Sequence, residues 1–141
     1  FAWFNRPVAV LFLGDAGSLP IGLAVAWLLF ALASQASLAA ALLLPMYHYT
    51  DATVTLLLRW RRGERLTQAH RSHFYQRART GGHTTYSVIG HVAAVTVALA
   101  VLAWIVLAAA QTWVSAAALA TGAVLVTAVL YRFDRPRTAL V

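Results

Sequence analysis

Long apolar stretches alternate with short polar ones along this chain. Four stretches come close to the roughly 20 apolar residues that a helix needs to cross a bilayer, and they lie at about residues 18–34, 38–58, 86–109 and 114–131. Because the connections within the first pair and within the last pair are very short, the pattern predicts two helical hairpins. Segments of this length are too long for barrel strands. We therefore predict an all-α, polytopic membrane bundle of about four transmembrane helices.

A polar stretch over about residues 59–85 separates the two predicted hairpins. It holds seven of the eleven arginines, and the C-terminal tail holds three more. Four spans would place the N-terminus, this loop and the tail on one side of the membrane, which the positive-inside rule makes the cytoplasmic side. The chain is thus predicted to form a single membrane domain over residues 1–141 with a basic cytoplasmic loop.

The composition supports a membrane protein and indicates which kinds of partner it binds. Hydrophobic residues make up 61% of the chain and charged residues only 11%, whereas soluble domains carry about 25% charged residues. All eleven basic residues are arginines, and the formal net charge is +7. Because these arginines cluster beside apolar stretches, they favour membrane lipid and anionic phosphates over nucleic acid. The chain has no cysteine, which excludes a disulfide framework and a thiolate metal site.

An acid set between glycines, Asp15, stands where the first apolar stretch begins. An ionisable residue at a membrane boundary is a functional-site hypothesis by default. Gly14 and Gly17 would let the backbone approach a ligand closely or adopt a positive φ, and Ser18 could cap the helix that follows. The alternative is a capped helix start with a lone acid in its first turn.

A second acid, Asp51, lies inside the second apolar stretch. A carboxylate within hydrocarbon is costly, so it should face the bundle with a partner or line a wet cavity. Two structural interpretations stay open: an ion pair with Arg59, or an N-cap for a helix that restarts after Pro45. His48 and its flanking tyrosines are typical of packing or of an interfacial belt rather than of a ligand set.

The central loop contains histidines mixed with arginines. His70 and His73 are three residues apart, with Arg71 between them and with Gln76 and Arg77 following. On a helix this spacing would place both imidazoles on one face. Arginine makes bidentate contacts with phosphate oxygens, whereas structural zinc requires four ligands and no others are evident. We predict that the segment engages phosphate; the alternative is a solvated basic loop that only sets topology.

The end of the loop is predicted to be structural. The glycine-containing segment at residues 81–85 should be a flexible exit that also caps the third apolar helix. His91 lies about two turns inside that helix. We predict that it is a hydrogen-bonded packing residue rather than a catalytic one.

Three segments together carry a family resemblance. Asn5 and the residues at 9–19, ending in Phe-Leu-Gly-Asp-Ala-Gly-Ser-Leu, resemble the signature of the polyprenyl-phosphate N-acetylhexosamine-1-phosphate transferases. The resemblance continues in Asp-Ala-Thr-Val-Thr-Leu-Leu-Leu-Arg at 51–59 and in His-Arg-Ser-His-Phe-Tyr-Gln at 70–76. The motifs follow the family order on the predicted cytoplasmic side. They cover about residues 1–80. The last two apolar stretches resemble the family only in being apolar spans.

The resemblance implies an activity and assigns roles to residues. Members of this family transfer a sugar-1-phosphate from a UDP-N-acetylhexosamine to a polyprenyl phosphate such as undecaprenyl phosphate, release UMP and require Mg²⁺. The reaction starts cell-envelope polysaccharide or O-antigen synthesis at the cytoplasmic face of the bacterial inner membrane. By resemblance, Asp15 would be a catalytic, metal-ligating aspartate and His73 would be catalytic. Substrate-binding roles would fall to Asn5, His70, Arg71, Gln76 and Arg77.

Two features depart from the family pattern. The translocase branch has three adjacent histidines, whereas His70 and His73 are separated here, which looks more like the branch that initiates O-antigen and exopolysaccharide. Family members are over twice this length and carry paired aspartates on an earlier loop. Here the only acids are Asp15, Asp51, Glu64 and Asp134. We therefore expect a C-terminal fragment of a longer transferase, inactive alone.

A second class of function is also compatible with the sequence. The chain could be a non-catalytic four-span membrane protein that binds anionic lipid or a protein partner. The arginine-rich loop and the missing acid pair favour that alternative. The assembly state is open as well, with a homodimer as one option.

Overall fold

Helices account for all the regular structure in the described part of the chain. The structure, a computed structural model, describes residues 10–68 and 71–135. No β-strand occurs in those ranges, which confirms the all-α prediction. The helices are α1 (Gly14–Gln35), α2 (Leu38–Leu43), α3 (Met46–Arg61), α4 (Phe74–Thr80), α5 (Thr85–Ala109) and α6 (Thr112–Asp134).

Three of the described helices, α1, α5 and α6, are long and apolar enough to cross a membrane. This supports a multi-pass helical protein in contact with membrane lipid. The fourth expected span, at residues 38–58, is not confirmed, because two helices that break at Pro45 stand in its place. Proline has no N–H for the helix ladder and its ring restricts the preceding turn. The prediction that the N-terminus, loop and tail share one side depended on four spans and stays a prediction.

The first helix begins earlier than its apolar pattern indicated. Gly14 adopts a φ of +60° and starts α1, so Ser18 lies inside the helix and does not cap it. The residue before the helix, Leu13, makes no side-chain capping bond either. Asp15 therefore lies in the first turn of α1, where a carboxylate interacts favourably with the helix dipole.

The core forms where α2 packs against the α5–α6 hairpin. Leu43 from α2, Leu99 from α5 and Val126 from α6 are among its fully buried side chains. Gly122 allows this close packing, since a Cβ at that position would lie 2.9 Å from Leu43 Cδ2 and 3.0 Å from Leu99 Cδ2. Helix α1 packs against α2 but buries none of its own residues.

The short helix α4 closes one end of the bundle by packing on α5 and α6. The predicted cap of the third apolar helix is confirmed, because the Thr84 side chain caps α5 by accepting the Ser87 N–H at 3.2 Å. The packing role of His91 is confirmed as well. Its Nδ1 lies 2.6 Å from the Ser87 carbonyl oxygen, and its ring meets Phe133 edge to face.

Candidate functional site

A buried carboxylate joins the middle of α3 to the start of α4. Asp51 is only 4% exposed. Its Oδ1 accepts the Phe74 N–H at 3.0 Å and the Thr55 hydroxyl at 3.2 Å, and it lies 3.6 Å from His73 Nδ1. The structure thus brings together two sequence motifs that are far apart along the chain.

Both structural interpretations of Asp51 from the sequence are wrong. Helix α3 restarts directly after Pro45, at Met46, so Asp51 is inside the helix and cannot be its N-cap. Arg59 pairs with Glu64 instead, with its Nε 2.8 Å from Glu64 Oε2. The carboxylate caps a different helix, α4, across the loop.

His73 is held in place from several directions. It directly precedes α4, and its backbone N–H donates to Gln76 Oε1 at 3.3 Å. Its ring stacks on Tyr75, with ring centres 5.7 Å apart and planes within 19°. Residues 71–73 are not helical, and α4 begins only at Phe74, so the helical face that His73 would share with His70 stays a prediction. His70 itself lies outside the described residues.

A cavity of about 560 Å³ opens between α3, α4 and α5. Asp51 and His73 lie at its polar side, while α5 contributes an apolar wall. The Tyr47 hydroxyl, on the same cavity, is buried without a hydrogen-bond partner, and such a group is normally satisfied by water or a ligand. A mostly apolar cavity of this size with a few convergent polar groups is typical of small-molecule sites. Its lining consists of Tyr47, His48, Asp51, His73, Tyr75, Val88, Ile89, Val92 and Ala93.

A smaller pocket of about 190 Å³ lies next to this cavity and is lined by arginines. Thr55, in its wall, is the residue that donates to Asp51, and Ser72 directly precedes His73. The Ser72 hydroxyl is buried and makes no hydrogen bond. Guanidinium groups around an unsatisfied hydroxyl suit an anion with several oxygens, such as a phosphate. The lining is Thr55, Leu58, Arg59, Arg62, Arg71, Ser72 and Arg77.

Acidic side chains and carbonyls hold two of these arginines in place. Arg59 is buried, and its Nη2 donates to the Arg65 carbonyl at 2.8 Å besides the pairing of its Nε with Glu64. Arg77 pairs with Asp134 at the end of α6. Groups outside the pocket lining therefore hold two of its four arginines in position.

Asp15, the predicted metal ligand, lines neither cavity. It is exposed on α1. In residues 10–68 and 71–135, no group of three or more acidic or histidine side chains could hold a metal ion. Magnesium sites commonly use only one or two carboxylates together with substrate phosphates. The described residues therefore do not complete a magnesium site by themselves.

The structure brings only some of the predicted site residues together. His73 lines the larger cavity, while Arg71 and Arg77 line the arginine pocket. Gln76 bonds to the His73 backbone. Two further predicted residues, Asn5 and His70, lie outside the described residues.

Sequence reasoning missed several residues that shape the site. The prediction that Asp51 faces the bundle with a partner is confirmed, but its role as a cap for α4 and the buried hydroxyls of Tyr47 and Ser72 were not anticipated. One signal was available: Asp51 and Thr55 are four residues apart and therefore neighbours on one helix face. Nothing local indicated which other element that face would meet.

No family model, no curated protein and no solved structure matches this chain.

Proposed function

We propose that this chain belongs to a membrane transferase that moves a sugar-1-phosphate from a UDP-N-acetylhexosamine to a polyprenyl phosphate such as undecaprenyl phosphate, with release of UMP. The proposal places the reaction at the cytoplasmic face of a bacterial inner membrane, in envelope polysaccharide or O-antigen synthesis. One observation carries it. An apolar cavity lined by Asp51 and His73 is linked to an arginine pocket through Thr55, which lines the pocket and donates its hydroxyl to Asp51.

The two cavities suit the chemistry of the proposed substrates. Both substrates carry phosphate, and the arginine pocket offers guanidinium groups for its oxygens. The larger cavity has room for an uncharged portion of a substrate beside His73. Phosphoryl transfer depends mainly on positioning and on neutralising charge. In this proposal Arg71 and Arg77 bind phosphate and His73 contacts the reacting groups, while the predicted contacts of Asn5 and His70 remain part of the hypothesis.

The proposal includes Mg²⁺, with Asp15 as one of its ligands. When bound, the ion would supply positive charge that neutralises the diphosphate. The other oxygen ligands of the Mg²⁺ ion would come from substrate phosphates or from groups outside the described residues. Asp15 can fill this role only if α1 brings it to the substrate, so its substitution is a sharp test.

UMP release tests the proposal directly. Membranes would contain the complete reading frame that includes this chain, and would receive undecaprenyl phosphate, Mg²⁺ and a panel of UDP-N-acetylhexosamines. We expect UMP release that requires both undecaprenyl phosphate and Mg²⁺. We expect Asp15→Asn to abolish this release while the protein is expressed at the wild-type level. Full activity in that variant would overturn the metal role of Asp15. The absence of release with every donor, from well-expressed wild type, would contradict the transferase itself.

A second candidate function is binding of an anionic lipid or of a protein partner without catalysis. The arginine pocket favours this candidate too, because polybasic segments beside apolar helices attract anionic headgroups. It predicts retention on vesicles that contain anionic lipid, with no UMP release from any donor. The same panel of donors therefore separates the two functions.

A further inference from the structure

Each of the helices α5 and α6 carries two exposed aromatic side chains at the same spacing. Tyr86 and Trp104 are 18 residues apart on α5, and Trp113 and Tyr131 are 18 residues apart on α6. Residues 87–130 contain no aspartate, glutamate, lysine or arginine. A helix of that length rises about 27 Å, which matches the thickness of the hydrocarbon layer of a bilayer.

The four aromatic side chains form one belt at each end of the α5–α6 hairpin. Only two residues connect the helices, which pack on each other as an antiparallel pair. Tyr86 therefore lies at the same end as Tyr131, and Trp104 at the same end as Trp113. Tyrosine and tryptophan are enriched where membrane proteins cross the two bilayer surfaces. The hydrocarbon layer on the side of the tyrosines therefore begins at the level of Tyr86.

The larger cavity opens sideways just inside this level. Its wall on α5 consists of Val88, Ile89, Val92 and Ala93, which follow Tyr86 by two to seven residues. These positions lie about 3–10 Å deeper along the helix. Ile89 and Ala93 are exposed on the outside of the bundle, so the wall of the cavity reaches the outer surface of α5. At this depth that surface faces lipid rather than water.

We propose that the larger cavity binds the hydrocarbon chain of a membrane lipid, which enters from the bilayer past Ile89 and Ala93. An opening at this depth admits a chain that is already dissolved in hydrocarbon, whereas a water-soluble ligand would first have to leave water. The apolar wall on α5 supplies the contacts for the chain. This inference does not depend on the proposed transfer reaction, and it would stand if no UMP were released.

Tyr47 provides a polar contact for the same lipid. Its side chain lines the cavity and is only 2% exposed, and its hydroxyl is buried without a hydrogen-bond partner. Burying such a group unpaired is costly. A tyrosine hydroxyl can donate to an oxygen at the head of a lipid chain, and both ester and phosphate oxygens are suitable acceptors. The cavity would thus recognise a lipid by apolar contact and one hydrogen bond.

Photo-crosslinking of the full chain in phosphatidylethanolamine nanodiscs tests the site. Two probes would be compared, phosphatidylglycerol and a polyprenyl phosphate, each with a diazirine in its hydrocarbon chain. We expect one of them to label Val88, which is 6% exposed and out of reach for lipid outside the bundle. Val97, which is 63% exposed and does not line the cavity, reports contact with surrounding lipid. Labelling of Val97 without labelling of Val88, with both probes, would overturn the proposal.

Tyr47→Phe tests the hydrogen bond, and Tyr49→Phe is its matched control, since Tyr49 is 56% exposed and does not line the cavity. We expect Tyr47→Phe to lower the ratio of Val88 to Val97 adducts about 2- to 10-fold and Tyr49→Phe to leave it unchanged. An equal ratio in wild type and both variants would overturn the role of Tyr47. If Tyr47→Phe failed to fold, the wild-type adducts would still decide whether lipid enters the cavity.

The depth of the opening can be measured separately, because the chain has no cysteine and accepts single spin labels. Labels would be attached to Ile89→Cys and Val97→Cys, and their depth read from relaxation by oxygen and by a water-soluble nickel complex. We expect the label at residue 89 just inside the hydrocarbon layer and the label at residue 97 near its centre. A label at residue 89 that is exposed to water would overturn entry from the bilayer.

Discussion

Replacing Arg59 with methionine should loosen the segment that connects α3 to α4. The Arg59 side chain is 4% exposed, and it reaches forward to Glu64 and to the Arg65 carbonyl. Methionine keeps an unbranched apolar stem but removes the charge and the donors. Arg62 provides a matched control, because its side chain is 58% exposed and its contact with Glu64 is 3.9 Å long.

The structure sets the size of the expected effect. A charge-assisted hydrogen bond such as the one to the Arg65 carbonyl contributes about 1.5–3 kcal/mol. The ion pair adds at most about 1 kcal/mol, since the Glu64 side chain is 42% exposed. The segment at residues 63–68 is exposed, so water can replace part of the lost bonding. We expect Arg59→Met to cost about 2 kcal/mol and Arg62→Met less than about 0.5 kcal/mol.

Two measurements would check the difference. The unfolding temperature in detergent, followed by tryptophan fluorescence, should fall by about 5–10 °C in Arg59→Met and hardly change in Arg62→Met. Amide hydrogen exchange over residues 63–68 should accelerate only in the first variant. Equal losses of Tm in both variants, or unchanged exchange in this segment, would refute the idea that Arg59 organises the connection.

Further predictions concern packing and the α4–α6 contact. Gly122→Leu should destabilise the bundle by about 2 kcal/mol or more through overpacking against Leu43, whereas Gly90→Leu, with open space around its Cβ, should change stability by less than about 0.5 kcal/mol. Thermal unfolding of the two variants checks this contrast, and similar Tm values for both would contradict it. Asp134→Asn removes the partly exposed pair with Arg77, so it should cost less than about 1 kcal/mol. That small difference from wild type should disappear in about 1 M salt, and a difference that persists would indicate a contact other than the ion pair.

Much of the fold was accessible from the sequence because the relevant signals are local. The long helices follow from uninterrupted apolar runs, and the cap at Thr84 follows from a threonine placed just before such a run. Pro45 and its polar neighbours were visible as an interruption. Their outcome, an interruption of two residues between α2 and α3, depends on how the following residues find partners in the bundle.

The candidate site was less predictable because its contacts are distant in sequence. The motifs predicted that His73, Arg71 and Arg77 belong to a functional site. In the structure His73 lines the larger cavity, and the two arginines line the arginine pocket. The partner of Asp51 could not be deduced, since any donor brought near by packing would satisfy a buried carboxylate. Motif order likewise did not show that Asp15 would lie outside both cavities.

The burial of Asp51 also constrains the order of events on the ribosome. Phe74, whose N–H satisfies the carboxylate, lies 23 residues later, so it is synthesised about 1–5 s after Asp51 at ordinary elongation rates. Helices α5 and α6, which pack over this region, emerge later still. The three apolar helices can each partition into lipid by their own hydropathy. Helix α3 instead has to wait for downstream chain, so its integration into the bundle is a late and cooperative step of biogenesis.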